Sequence, residues 1–333
     1  VTPLGPTMIS RDAYRPLGST GLPIPPLVLA AGPLGGIKCD IPESRRRALC
    51  VEWFKHVPPP VVVEASNFDD FKPAASILGH VVRAAEIGAN EWTVCLNINA
   101  WQMKSRASVQ APHICPEKMI QEWQDGARAW GLESSQTLVA IDAADEYANI
   151  GRSPDERQQR WNHVFETLRA ALALKAAGQV RGVGVTVQDW QVAEQIADAV
   201  PIDWITLEGC PTLTHHPAAL IECLTRLAAH SVGFIARSIF HVGSELAAAS
   251  EEGERGPLRR RSLVALCHGH GVTPVEAALQ FALSAPGIVA AVVHPTQPDK
   301  IGELTAAAAK PIKPAFWAAL KEERLIDADC SFV

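Results

Sequence analysis

The sequence predicts an α/β fold, a single (β/α)8 TIM barrel, and three observations carry that expectation. Eight short apolar segments recur along a chain of 333 residues, amphipathic stretches separate them, and the segments are near-continuous apolar runs rather than strict alternations. Runs of that kind mark parallel strands covered on both faces. Eight strands with intervening helices at this length fit a barrel occupying the whole chain, 1–333, as one domain. A doubly wound open sheet is the alternative. It is disfavoured because the glycines of AAGPLGGIKCD do not match GxGxxG, and the chain has no Walker lysine and no repeat of fixed period.

The candidate strands are LVLAAG (27–32), VVVEA (61–65), WTVCLNI (92–98), TLVAID (137–142), VRGVGVT (180–186), DWITLEG (203–209), VGFIARS (232–238) and GIVAAVV (287–293). Between them, Trp161, Val164, Phe165, Leu168 and Leu172 repeat at helical spacing, and Gly178 is placed as the stop. Pro116 stands as a first-turn proline. Thr273 and Glu276 have the spacing of a capping box. The segment 101–116 is long for a strand-to-helix connection, and long loops often cover a site.

Composition narrows the function. At 47% hydrophobic and 20% charged the chain is ordinary globular material, and its net charge of −6 argues against a nucleic-acid binder. The basic runs Arg45–Arg47 and Arg259–Arg261 read as solvated faces, and His215, His216, His268 and His270 read as surface residues. Eight cysteines occur singly with no CxxC pair, which excludes a zinc ribbon and a thioredoxin-like motif and suits a reducing cytoplasm. Cys95 and Cys223 read as small buried hydrophobes. No apolar run is long enough to span a membrane and no signal-peptide core opens the chain. The expected partner is a small molecule, not nucleic acid or membrane, and oligomerisation is left open.

The strand VVVEASNFDDF (61–71) raises the question of chemistry, because Glu64 closes an apolar run and Asp69 and Asp70 follow it. Asp142 likewise ends an apolar strand.

Taken together, the segments YRPLGSTGLPIPPLVLAAGPLGG (14–36), ALALKAAGQVRGVGVT, LEGCPTLT (207–214), VGFIARSIFHVGSEL (232–246), ALCHGHGVTPVEAALQFALSAPGIVAAVV and FWAALKEERLIDAD resemble the aldo-keto reductase superfamily. The resemblance is closest to the branch of D-threo-aldose (L-fucose type) 1-dehydrogenases. It covers nearly the whole chain and implies an N-terminal β-hairpin, residues 14–25, closing the barrel bottom. It also implies a nicotinamide cofactor and a catalytic Asp, Tyr, Lys and His at strand ends. At those places stand Glu64, Asp69, Asn97 and Asp142. The stacking tyrosine corresponds to Pro211, the carboxamide-binding Asn to Gln188, and the arginine expected for a 2′-phosphate to Gln297 or nearby Lys300. The expectation is therefore no NAD(P) binding or weak binding.

Carboxylates crowded at one barrel mouth push at least one pKa upward, which supplies an acid and a base near neutral pH. Isomerisation, elimination or lyase chemistry on a hydroxylated or carbonyl compound such as a sugar derivative is the leading expectation. Glu64, Asp69, Asn97 and Asp142 are its catalytic candidates, and Gln188, Glu208 and His241 would bind substrate. An NAD(P)-dependent oxidoreductase is the alternative, and a non-catalytic metabolite-binding barrel is the third. A divalent metal on the carboxylates is conceivable, though no ligand spacing supports it.

Overall fold

The computed structural model describes residues 8–35, 41–66, 71–84, 86–88, 91–99, 103–105, 108–109, 114–133, 136–240 and 255–333. Eight strands carry the architecture: β1 (Leu27–Ala30), β2 (Val61–Ser66), β3 (Trp92–Asn99), β4 (Thr137–Asp142), β5 (Gly182–Val187), β6 (Trp204–Glu208), β7 (Gly233–Arg237) and β8 (Ile288–Val293). All pair in parallel in chain order, and β8 returns to β1, so the sheet closes. This is the predicted (β/α)8 barrel.

Helices surround it: α1 (Glu43–His56), α2 (Phe71–Ala84), α3 (Pro116–Trp130), α4 (Pro154–Ala176), α5 (Val192–Ala199), α6 (Ala218–Ala229), α7 (Arg255–His270), α8 (Pro274–Ser284), α9 (Asp299–Ala309) and α10 (Pro314–Glu322). Their ends follow local chemistry. Pro116 occupies the first turn of α3. Gly178 follows α4 with φ of 71°, a left-handed conformation that glycine adopts without steric cost. Thr273 and Glu276 close a reciprocal box at α8, with bonds of 3.1 and 2.6 Å.

Side chains alternate across each strand, which explains the apolar runs. In β2, Val61, Val63 and Ala65 join the layer between strands and helices, while Val62 faces the barrel interior. The interior is filled by Val28, Val62, Cys95, Leu138, Trp204 and Val292, with Leu17, Leu22 and Ile24 beneath. Those last three belong to the predicted hairpin, where Arg15–Pro16 pairs antiparallel with Pro23–Ile24. Gly184 leaves room for the Trp204 indole, since an added Cβ would lie 2.1 Å from its Cε2.

Two details differ from expectation. His216 is buried, accepting from the Asp327 amide (3.1 Å) and lying 2.9 Å from the Thr212 carbonyl, so it ties the C-terminal segment to the loop after β6. The long segment after β3 contains a small antiparallel pair, Met103–Ser105 with Ser108–Val109. Residues 101–102, 106–107 and 110–113 of that segment lie outside the described residues.

Asp203 anchors the closed end. Its fully buried carboxylate accepts from Lys175 Nζ (2.5 Å), Ser19 Oγ and the Val183 amide (2.8 Å), and its carbonyl accepts from the Gly233 amide (3.0 Å). Asp203→Ala leaves a buried amide and an ammonium without their acceptor, so urea denaturation should show a loss of about 3 kcal/mol. A loss within about 0.5 kcal/mol, the size of a neutral surface change, would show that the hairpin is not held this way.

Candidate active site

Period-two alternation decides which strand-end residues look into the barrel. Val62 faces inward, and so does Glu64; Cys95 faces inward, and so does Asn97; Ala140 is followed by Asp142, Trp204 and Thr206 by Glu208, and Ile235 by Arg237. Glu64, Asp142, Glu208 and Arg237 are the only charged residues in the eight strands. All four meet at the carboxyl-terminal mouth. The three acids come from β2, β4 and β6, the alternate strands that supply one layer of such a barrel.

Arg237 joins them. Its Nη1 donates to Glu64 Oε1 (3.0 Å), its Nη2 to Asp142 Oδ1 (2.7 Å) and Glu208 Oε2 (2.7 Å), and its Nε to Glu208 Oε2 (3.2 Å). Smaller groups complete the set. Asn97 Nδ2 donates to Glu64 Oε1, Asn99 Nδ2 to Asp142 Oδ2 (3.2 Å) and Ser238 Oγ to Glu208 Oε1 (2.9 Å). The backbone turns sharply beyond two members: Ala143, after Asp142, has φ of 54°, and Ser238, after Arg237, has φ of 60°. Left-handed non-glycine residues each cost on the order of 1 kcal/mol, and such strain concentrates at functional sites.

The electrostatics are those of a crowded, dry site. Burial raises the Glu64 carboxyl above its ordinary range and the Asp142 charge adds to that, against the opposing pull of Arg237 and Asn97. For Arg237, burial acts to lower the pKa, but Asp142, Glu64 and Glu208 outweigh it and hold the guanidinium charged. Cys95 lies below, its thiol pushed well up by burial and then by Glu64 and Asp142. On the rim, burial raises Glu146, helped by Asp145, Glu208 and Asp142.

The structure thus brings together Glu64, Asn97, Asp142 and Glu208 of the residues singled out from sequence. Gln188 sits on the rim, its side-chain amide donating to Glu146 and its backbone amide to Asp145 Oδ2 (3.0 Å). Asp69 and His241 lie outside the described residues. Arg237 was missed. It closes the apolar run VGFIAR, and the available signal was its place at the carboxyl end of a strand, matching the acids that end three others.

Among the described residues no group of three His, Cys, Asp or Glu side chains has the arrangement of a metal site; the cation that the acids share is Arg237. A cavity of about 460 Å³ lies between the ends of β7 and β8 and helices α8 and α9, lined by Ser238, Phe240, Val292, His294 and Leu304. Its size is that of a small-ligand pocket. The start of α9 carries no side-chain cap, and the Lys300 and Ile301 amides turn back onto the Gln297 and Pro298 carbonyls (3.2 and 3.1 Å). An apolar wall, a hydroxyl and an imidazole fit the adenosine of a nucleotide. Pro211, where a stacking aromatic ring is expected, is buried and carries no aromatic ring.

Comparison with known proteins agrees with this layout. A family model described as "Aldo/keto reductase family" matches residues 107–324. The chain is 28% identical over 225 residues to a D-threo-aldose 1-dehydrogenase of a Pseudomonas species, covering 63% of this chain and 66%, just under two thirds, of that protein. It is 22% identical over 348 residues to a pyridoxal 4-dehydrogenase of Microbacterium luteolum, covering 96% and 99%. The fold also matches the holo form of an aldo-keto reductase from Bacillus halodurans with a TM-score of 0.70 at 15% identity, over 95% of this chain and 96% of that one.

The raised Glu64 pKa sets a pH dependence. The folded state binds this proton more tightly than the unfolded chain, whose reference is 4.5. The stability that the proton contributes is complete below that value and is lost as pH rises through the folded pKa. Glu64→Gln is neutral throughout and escapes the loss. Urea titrations across pH should therefore show the variant gaining on the parent from about pH 4.5 upward; a difference independent of pH would contradict the assignment.

Proposed function

The chain belongs to the aldo/keto reductase family, and on that premise we propose that it is a nicotinamide-dependent oxidoreductase that oxidises a hydroxyl of a small polar compound, with Glu64 as base. The observation that carries this reading is the buried Glu64 carboxylate at the mouth, oriented by Asn97 and Arg237. Both tyrosines of the chain are committed elsewhere. Tyr14 donates to the Pro58 carbonyl, and the buried Tyr147 is bonded to His163. Oxidation of an alcohol needs a base more than an acid, so a carboxylate serves where a tyrosine is absent. Both named relatives are dehydrogenases, which favours redox chemistry over isomerisation or elimination.

Glu64 takes the hydroxyl proton, and burial, by raising its pKa, makes it a stronger base than an exposed glutamate. Asn97 and Arg237 hold the carboxylate in one orientation, and Arg237 with Asn99 fixes Asp142 beside it. The cavity between β7 and β8 would hold the dinucleotide through Ser238, Phe240 and His294, with Gln188 elsewhere on the rim. When bound, the nicotinamide supplies the acceptor for the hydride that leaves the carbinol carbon. Without an aromatic ring at Pro211, affinity for it is weak. Seven described cysteines are unpaired, and no described helix is long and apolar enough to cross a membrane; both suit a soluble enzyme of the cytoplasm.

Non-redox acid/base chemistry is the second reading, favoured by the paired Glu64 and Asp142 carboxylates. The two readings separate in one assay. Purified protein with aldoses or pyridoxal should reduce NAD+ or NADP+, and Glu64→Gln should lower kcat by about 10²–10⁴-fold while remaining folded. Substrate conversion without any dinucleotide would favour the second reading, and full turnover by Glu64→Gln would remove Glu64 from the chemistry.

A further inference from the structure

Among the described residues, the mouth holds more negative charge than Arg237, the cation that the acids share, balances. Arg237 commits Nε, Nη1 and both directions of Nη2 to three carboxylates, leaving one of its five N–H groups. With one N–H left, it cannot grip an anionic substrate through two bonds without surrendering an acid. With Glu64, Asp142 and Glu208 ionised, two negative charges stand in excess; with Glu64 protonated, one remains. Glu146 on the rim adds another, and its raised carboxyl pKa, due to burial and then to three neighbouring acids, reports the same field.

A second observation comes from Thr186. It is 1% exposed, and its hydroxyl has no hydrogen-bond partner. It shares the inward face of β5 with Gly184, whose added Cβ would strike Trp204. The pairing of Ile141 with Val185 places Thr186 beside Asp142, and Thr186 itself pairs with Thr206. A buried hydroxyl left without a partner calls for one, and here it lies against the layer that carries the excess charge.

We propose that the site takes a substrate bearing a positively charged nitrogen near its reacting hydroxyl, an amino sugar or amino alcohol rather than a neutral polyol. This rests on the oxidoreductase reading for the reaction but not for the binding. The ammonium lies among Asp142, Glu208 and Glu146, and Thr186 Oγ accepts one of its hydrogens. A neutral hydroxyl gains the hydrogen bonds without the charge compensation.

The test is calorimetric titration, without dinucleotide, with two pairs matched except for charge: an aldose against its amino-deoxy counterpart, and glycerol against serinol, its amino analogue. At a pH where the amine is protonated, each cation should bind at least about tenfold more tightly than its neutral partner, an advantage that shrinks with added salt. Glu146→Gln should reduce the ratio. Thr186→Val, which removes an unsatisfied hydroxyl and should fold at least as well, should weaken the amines and spare the neutral compounds. Equal or tighter binding of the neutral members, or binding of neither member of both pairs, would overturn the proposal. Turnover is scored separately: charge-selective binding with no reduction of NAD+ or NADP+ would refute the redox reading and leave the charge assignment standing.

Discussion

The guanidinium of Arg237 is what allows three acids to occupy the mouth of this barrel. Glu64, Asp142 and Glu208 are brought to one layer by strand alternation, which is indifferent to their charge. Without a cation among them, burying the Glu64 and Asp142 carboxylates beside Glu208 would cost several kcal/mol each or force protonation. Arg237 reaches in from β7 with a planar fork that bonds all three at once, a geometry that lysine lacks. The orientation of Glu64 depends on this bridge together with Asn97, and that of Asp142 on it together with Asn99.

Such clusters are poor sources of stability, because apolar residues of the same volume pack as well without desolvating charge. The rest of the barrel interior is built in just that way, with Trp204 seated over Gly184 and the hairpin leucines beneath. Charged residues within the barrel strands are confined to the top layer. The left-handed backbone at Ala143 and Ser238 adds local strain next to the same residues. A site that costs stability in two ways is best accounted for by its use.

Much of this was legible in the sequence, for physical reasons that differ from residue to residue. The eight strands announced themselves because a strand buried on both faces must be apolar throughout, and the capping box at Thr273 because its partners are three residues apart. Glu64 and Asp142 stood out as charges ending apolar runs. Arg237 did so equally, yet its meaning depends on contacts 173 residues away to Glu64 and 95 away to Asp142, which no local pattern encodes. His216 was read as a surface residue for the same reason: its partner Asp327 lies 111 residues further on. The cluster reads differently once its cation is known, since the acids are not simply repelling one another.

The most direct measurement of the central claim is a double-mutant cycle between Glu64→Gln and Arg237→Met, read by urea denaturation at neutral pH. Each single change alters the cluster, and the cycle isolates the interaction between the two side chains. The account predicts a coupling of at least about 1.5 kcal/mol, as for a buried charge-assisted bond. Additivity within about 0.5 kcal/mol would mean that Glu64 and Arg237 do not interact, and the arrangement of the mouth described above would be wrong.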